Sequence, residues 1–176
     1  IVDLVIDRYE EKTRKKIEGP KTKKIPLTGG PFEGAAAVTA YRQGLTPRME
    51  TLGLTPYHGA YLISNYGKQT DHILQKMEDF QEGADPEVTL LRAEIWYTVQ
   101  HELACTLTDF FNRRTGRLYF NLPSILPTLD MAADDFARHL DWDDARKKVE
   151  KAAVRAAIRH VTEFEYGREK TGELRE

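Results

Sequence analysis

The chain has 176 residues, a length that one hydrophobic core can serve, and its 40% hydrophobic and 31% charged residues are the composition of a globular protein. No run approaches the roughly 18 apolar residues of a membrane-spanning helix, and 26 basic against 28 acidic residues leave a net charge of −2, with no global attraction for nucleic acid or anionic lipid. A single cysteine, Cys105, excludes an intrachain disulfide and favours a reducing compartment, so a cytoplasmic location is expected.

Val2, Val5, Ile6, Tyr9 and Ile17 follow helical spacing from the first residue, with neither cap nor signal-peptide pattern ahead of them, as though the chain were cut from something longer. This first helix is expected over residues 1–18, stopped by Gly19-Pro20, and a loop rich in Gly and Pro over 19–34. Val38, Tyr41, Leu45, Met49 and Leu52 mark a second helix that Gly44 and Pro47 should kink or divide. Thr55-Pro56 opens a third, with Tyr57, Tyr61 and Leu62 on its apolar side and Gly67 at its end. Ile73, Leu74, Met77 and Phe80 carry a fourth that breaks near Gly83.

Asp85-Pro86 opens a helix leading to Leu91, Ile95, Val99 and Leu103, although residues 93–98 are rich enough in Ile, Trp and Tyr to suit a short strand. Thr106 and Asp109 have capping-box spacing ahead of Phe110 and Phe111, with Arg113 and Arg114 in a last turn before Gly116. Leu126, Leu129, Ala133, Phe136, Ala137 and Leu140 form the next stripe. A long final helix follows Asp141-Trp142-Asp143, with Ala145, Val149, Ala152 and Ala156 on its packing side. Residues 166–176 read as a frayed tail. The fold class is therefore all-α, a bundle of six to eight helices occupying residues 1–165.

Several constellations invite a chemical reading. His101-Glu102-Leu103-Ala104-Cys105 places His and Cys four apart around a Glu, as in HExxH zinc sites, but Cys replaces the second His, and a helix face with an ordinary buried thiol is expected instead. Gly29-Gly30-Pro31-Phe32-Glu33-Gly34 has the glycines of a phosphate loop without the GxGxxG or Walker spacing, which leaves a plain turn. Lys12 to Lys24 packs seven basic residues into thirteen positions, a local attraction for anionic membrane or nucleic acid that a solvated helix end also explains. His58, His72, His139 and His160 lack ligand spacing, and Ser64 and Ser124 lack a nucleophile elbow. Arg113-Arg114 could clamp an anion or simply cap carbonyls, and Trp96 and Trp142 suit the core. No residue is assigned to a catalytic, cofactor-binding or metal site.

The stretch from Ala93-Glu94-Ile95-Trp96-Tyr97 through His101-Glu102-Leu103-Ala104-Cys105 to Phe110-Phe111-Asn112-Arg113-Arg114 resembles the C-terminal domain of FAD-dependent, quinone-linked glycerol-3-phosphate dehydrogenases and α-glycerophosphate oxidases. Leu140-Asp141-Trp142-Asp143-Asp144-Ala145-Arg146, Lys24-Ile25-Pro26-Leu27-Thr28-Gly29-Gly30 and Asn65-Tyr66-Gly67 extend the likeness over about residues 1–160, with Thr46-Pro47 and Tyr57-His58-Gly59 less family-like. The resemblance implies a parent flavoprotein that oxidises sn-glycerol 3-phosphate to dihydroxyacetone phosphate and passes electrons to a quinone, or to oxygen in the oxidases. This chain would be its helical C-terminal cap, non-catalytic alone. FAD would belong to an N-terminal domain, whose GxGxxG loop and Gly-Gly-Lys-Leu-Thr-Thr-Tyr-Arg segment would precede Ile1. That domain is the expected partner. A homodimer and peripheral contact with the inner membrane face remain open, nucleic acid is not expected, and the alternative is a free-standing helical module binding metal, nucleic acid or anionic membrane through Lys12–Lys24.

Overall fold

A computed structural model describes residues 1–17, 24–80 and 85–163, and every structural statement below concerns these residues. They form eight α-helices and no strand: α1 Val2–Thr13, α2 Ala35–Thr51, α3 Pro56–Tyr66, α4 Thr70–Glu78, α5 Pro86–Glu102, α6 Arg117–Phe120, α7 Ile125–Leu140 and α8 Asp144–Thr162. A 3-10 turn, Gly67–Gln69, joins α3 to α4, and a π-helical turn, Asp109–Arg114, lies between α5 and α6. The all-α expectation holds.

Helix α5 organises the rest because it is apolar around most of its circumference, the pattern of a helix with neighbours on all sides. Its Leu91, Ile95 and Val99 enter a cluster with Phe110, Phe111, Leu118, Leu129, Phe136 and Val154. Its Leu90, Ala93 and Tyr97 enter a second cluster with Met49, Leu62, Tyr66, Leu74 and Met77. The two cores thus share one wall. Asp85 starts α5 by accepting the Glu87 and Val88 N–H groups at 2.8 and 3.4 Å, with Pro86 at the first turn, and the residues of the strand alternative, 93–98, lie in the helix interior.

Other boundaries differ from the sequence expectation. Helix α1 ends at Thr13 instead of residue 18: Arg14 turns left-handed, its N–H bonds Glu10 O at 2.8 Å, and the Glu10 carboxylate accepts the Ile17 N–H at 2.7 Å. Gly19-Pro20, the break near Gly83 and the tail lie outside the described residues. Helix α2 runs unbroken through Gly44 and Pro47, because both sit on its exposed side while Leu45 and Met49 hold the inner side in the core. Leu103 takes a left-handed conformation that ends α5 and leaves it 80% exposed, so it is not part of the apolar face. Leu126 is likewise exposed.

In α8 the packing side is displaced. Ala145, Val149, Ala152 and Ala156 face outward, whereas Glu150 and Val154 are buried, and Ala157, Ile158 and Val161 pack beside Val154. Alanine is compatible with either side of a helix, so the small residues carried little directional information. The Thr106 hydroxyl does accept the Asp109 N–H at 2.9 Å, but the turn that follows is π-helical. There the Thr115 N–H and hydroxyl reach back to Phe110 O at 3.0 and 2.9 Å, and Phe110 and Phe111, ring centroids 5.1 Å apart, are both fully buried.

The loop before α2 is pinned against the end of α3. The Lys68 N–H donates to Gly29 O at 2.8 Å, the Gln69 amide donates to Thr28 O at 2.6 Å, and Gly30 N–H closes a turn on Leu27 O at 2.8 Å. Gly67 makes this possible with φ +56°, and any Cβ there would overlap the Gly29 carbonyl and lie 2.9 Å from its Cα. Gly67→Ala is therefore expected to destabilise the fold by about 1–3 kcal/mol in urea unfolding. Gly44→Ala, in open space on helix α2, should stabilise it by about 0.5–1 kcal/mol.

Candidate functional site

A cleft between the start of α3 and α6 is lined by Tyr57, His58, Tyr61, Glu87, Leu90, Thr115, Arg117, Phe120 and Asn121. A charged group fully withdrawn from water lies next to it. Glu94, 0% exposed on α5, accepts the Tyr61 hydroxyl at 2.6 Å and the Tyr66 hydroxyl at 2.8 Å on one carboxylate oxygen, and Arg117 Nη2 at 2.7 Å on the other. Three elements, α3, α5 and α6, are thereby tied at one point. Burial alone would be prohibitive for either ion, and the pairing with the extra hydroxyl bonds makes it tenable.

The electrostatics follow from that burial. Desolvation and then the Glu94 charge push the Tyr61 and Tyr66 phenols well above their ordinary range. Burial works against the Arg117 guanidinium, but Glu94 outweighs it and holds Arg117 above its usual value. Both tyrosines stay protonated donors and Arg117 stays a cation across the accessible pH range. The Arg117 Nε alone has no partner among the described residues.

At the rim, His58 is a connector. Its Nδ1 accepts the Thr55 backbone N–H at 3.0 Å, capping α3, while Nε2 meets the Glu87 carboxylate of α5 at 2.7 Å. The neutral tautomer with hydrogen on Nε2 satisfies both contacts. The Thr55 hydroxyl lies 2.9 Å from the same Nδ1, so Thr55, His58 and Glu87 have the order of a catalytic triad. The Nδ1 lone pair is already committed to the backbone cap, which removes it as a general base.

Two further carboxylates are buried and spent in the same manner. Asp135 of α7 accepts Arg92 Nε of α5 at 2.9 Å and pairs with Arg138. Glu150 of α8 accepts the Leu107 N–H at 3.0 Å and Arg146 at 2.7 Å, fastening α8 to the segment ahead of the π turn. These buried carboxylates hold helices together and present no free oxygen to a substrate.

The residues singled out from the sequence are dispersed. The left-handed Leu103 ends α5 and separates His101 from Cys105, so the pair shares no helix face and Cys105 is exposed beyond the helix, not the buried thiol expected; among the described residues no group of three or more His, Cys, Asp or Glu side chains is arranged to hold a metal. Glu102 is half-buried; burial raises its pKa, opposed by Arg114 at 3.9 Å. Arg113 pairs with Asp109, so neither arginine is an open anion clamp. The Gly29–Gly34 stretch is the pinned turn already described.

Lys12, Arg14, Lys15, Lys16 and Lys24 are exposed, while Lys21 and Lys23 lie outside the described residues. His72 and His101 stack with centroids 6.2 Å apart, and burial lowers the pKa of His139. His160 and Ser64 are exposed, and the Ser124 hydroxyl donates to Asn121 O at 2.8 Å. Trp142 stacks on Phe136 at 5.3 Å, and Trp96 packs beside the second core under Lys76. Sequence reasoning missed Glu94 and Arg117. The signal available for the first was a lone carboxylate inside the apolar run Ala93-Glu94-Ile95-Trp96-Tyr97.

Residues 20–147 match the family described as the C-terminal domain of alpha-glycerophosphate oxidase. Among curated relatives, the aerobic glycerol-3-phosphate dehydrogenase of Bacillus subtilis (strain 168) is 31% identical over 149 residues, 84% of this chain and 27% of that protein. The Staphylococcus haemolyticus enzyme of the same name is 28% identical over 163 residues, 92% of this chain and 29% of its own. A solved structure, the glycerol-3-phosphate dehydrogenase from Bacillus halodurans complexed with FAD, is similar with a TM-score of 0.73 at 24% identity, over 89% of this chain and 32% of that one, and shows the same fold. The chain spans less than a third of the length of these relatives.

Removing the carboxylate at Glu94 strands a buried cation and two phenols, so Glu94→Leu is expected to lower stability by about 3–5 kcal/mol in urea unfolding. The double variant Glu94→Leu/Arg117→Met should lose clearly less than Glu94→Leu alone, since no charge is then left unpaired. A second expectation concerns pH. Because burial raises the Glu102 pKa above its unfolded value, the stability it contributes is full below about pH 4.5 and is lost as pH rises through the folded pKa. Glu102→Gln should remove that loss, so the stability of wild type relative to the variant falls as pH rises above about 4.5 and levels off once the folded carboxyl is ionised.

Proposed function

The chain belongs to the family of C-terminal domains of alpha-glycerophosphate oxidase, and we propose that it is the helical C-terminal domain of an FAD-dependent glycerol-3-phosphate dehydrogenase. The parent oxidises sn-glycerol 3-phosphate to dihydroxyacetone phosphate and delivers the electrons to a quinone. The observation that carries this reading is the family match over residues 20–147, joined to a span of 27–29% of relatives named aerobic glycerol-3-phosphate dehydrogenase. Those names favour a dehydrogenase over an oxidase parent.

Bound FAD would supply the hydride acceptor, and in this reading its cradle lies outside this chain. The glycines that came nearest to a phosphate loop are closed against Gly67, with the Gly29 carbonyl committed to Lys68, and no strand among the described residues runs into them. The flavin site is therefore assigned to the remaining two thirds of the parent, which is the partner of this domain. What this chain contributes is a stiff bundle whose helices are fastened by Glu94, Asp135 and Glu150. Transfer to a membrane quinone from the cytoplasmic face by peripheral contact is part of this proposal; among the described residues no helix is long and apolar enough to cross a membrane.

The test is purification of the full-length protein. It is expected to be yellow, to be bleached anaerobically by glycerol 3-phosphate, and to regain colour with a soluble quinone analogue but not with NAD. Residues 1–176 alone are expected to be colourless and inactive. A full-length protein without flavin, or one whose flavin ignores glycerol 3-phosphate, refutes the reading.

A further inference from the structure

In the cleft between α3 and α6, beside the Glu94 clasp, one polar group has nothing to bond. Arg117 is 8% exposed, and three approaches to its guanidinium are taken. Nη2 donates to Glu94 at 2.7 Å, Nη1 reaches the Ser124 hydroxyl at 3.5 Å, and the Tyr61 ring lies 6.0 Å from Cζ. The Nε N–H is buried without an acceptor among the described residues. A buried donor left unmatched is costly, and native proteins carry few of them. Because Arg117 lines the cleft, the cleft is the route by which an acceptor reaches it.

The other walls say what that acceptor is attached to. Tyr57 and Phe120 line the same cleft with 68% and 88% of their surface open, two aromatic rings held in water. Glu87 gives one carboxylate oxygen to His58 at 2.7 Å, and its second oxygen has no partner among the described residues. The cleft volume of about 90 Å3 is well below the roughly 300 Å3 of a site for a drug-sized molecule, so it admits one ring. Charge narrows the class. Glu94 already neutralises Arg117 and Glu87 stands at the mouth, so an anion is repelled, while a cation would face an N–H donor. A neutral flat ring with a carbonyl beside an N–H, the cyclic-amide edge of a uracil- or hypoxanthine-type base, answers all three features.

We propose that this cleft is a binding site for such a ring. Its carbonyl oxygen accepts from the Arg117 Nε, its N–H donates to the free oxygen of Glu87, and its face stacks on Phe120 and Tyr57. Stacking supplies affinity, and the amide edge supplies selectivity over adenine, which has no carbonyl. The site lies in the helical bundle and is independent of the flavin chemistry proposed above.

Calorimetric titration of the full-length protein with uridine tests this. Binding is expected at one equivalent per chain with a Kd of about 1 mM or tighter. 3-Methyluridine keeps both carbonyls but loses the N–H, and should bind at least about tenfold more weakly, as should adenosine. Phe120→Ala removes an exposed ring and should weaken uridine binding at least about fivefold, while Val149→Ala on the exposed side of α8 leaves it unchanged. If Phe120→Ala disturbs folding, the three nucleosides compared on the wild-type protein still decide. No saturation by uridine up to about 10 mM overturns the proposal and leaves the Arg117 Nε to a bound water. Equal affinity for uridine and 3-methyluridine, or for uridine and adenosine, overturns the cyclic-amide class. Uridine binding untouched by Phe120→Ala in a folded protein places the ligand elsewhere and overturns the site. None of these outcomes bears on whether the full-length protein holds flavin.

Discussion

Placing a carboxylate at position 94 in the middle of α5 constrains everything packed around that helix. A fully buried charge is tolerable only where an opposite charge and enough donors meet it, so Arg117, Tyr61 and Tyr66 must arrive together. That requirement fixes the rotation of α3 and the seat of α6, a helix of only four residues whose Leu118 is buried while Tyr119 and Phe120 are exposed. Tyr66 is also the last residue of α3, so its bond to Glu94 places Gly67 where the Gly29 carbonyl can approach. A contact in the core thereby sets the path of a loop more than sixty residues away from Glu94 in sequence. Apolar packing alone would tolerate several rotations of α3; a set of directional bonds to one carboxylate tolerates far fewer.

The same logic recurs at the other two buried carboxylates. Each side of α5 meets a separate apolar cluster, and neither cluster by itself sets the angle at which α7 and α8 cross the rest. Arg92 to Asp135 sets α7 against α5, and Glu150 to the Leu107 N–H sets α8 against the segment entering the π turn. Breaking one of these clasps strands a charge, so its loss is sharper than the loss of a comparable apolar contact. Stiffness of this kind suits a domain whose proposed contribution is shape and not chemistry.

Much of the helical order was legible because its signals are local. Asp85-Pro86 and Thr55-Pro56 mark their helix starts by supplying acceptors and a preset φ, and Gly67 marks an end because the backbone there must turn left-handed. What failed was non-local. Pro47 looked like a break, but Leu45 and Met49 pack tightly enough to keep α2 continuous. The alanines of α8 pointed the wrong way because alanine fits both faces, and the true inner face is marked by Glu150, which hydropathy places outside. The cleft was illegible for the same reason. Glu94 and Arg117 are 23 residues apart and look like surface charges until the fold brings them together.

Two of the family-like stretches meet at Glu94. The family-like stretch beginning at Ala93 contains this carboxylate, and the Asn65-Tyr66-Gly67 step contains one of its donors. Their geometry gives both motifs a structural explanation: one supplies the buried charge, and the other supplies the phenol that satisfies it together with the glycine that follows. A motif held for catalysis would place a reactive group where a substrate could reach it. Here the phenols are locked as donors by burial, the guanidinium is neutralised from within, and the His58 ring is used up by a helix cap and a bridge to α5. Around Glu94, the side chains that could carry chemistry, Tyr61, Tyr66 and His58, spend their hydrogen bonds on holding helices in register.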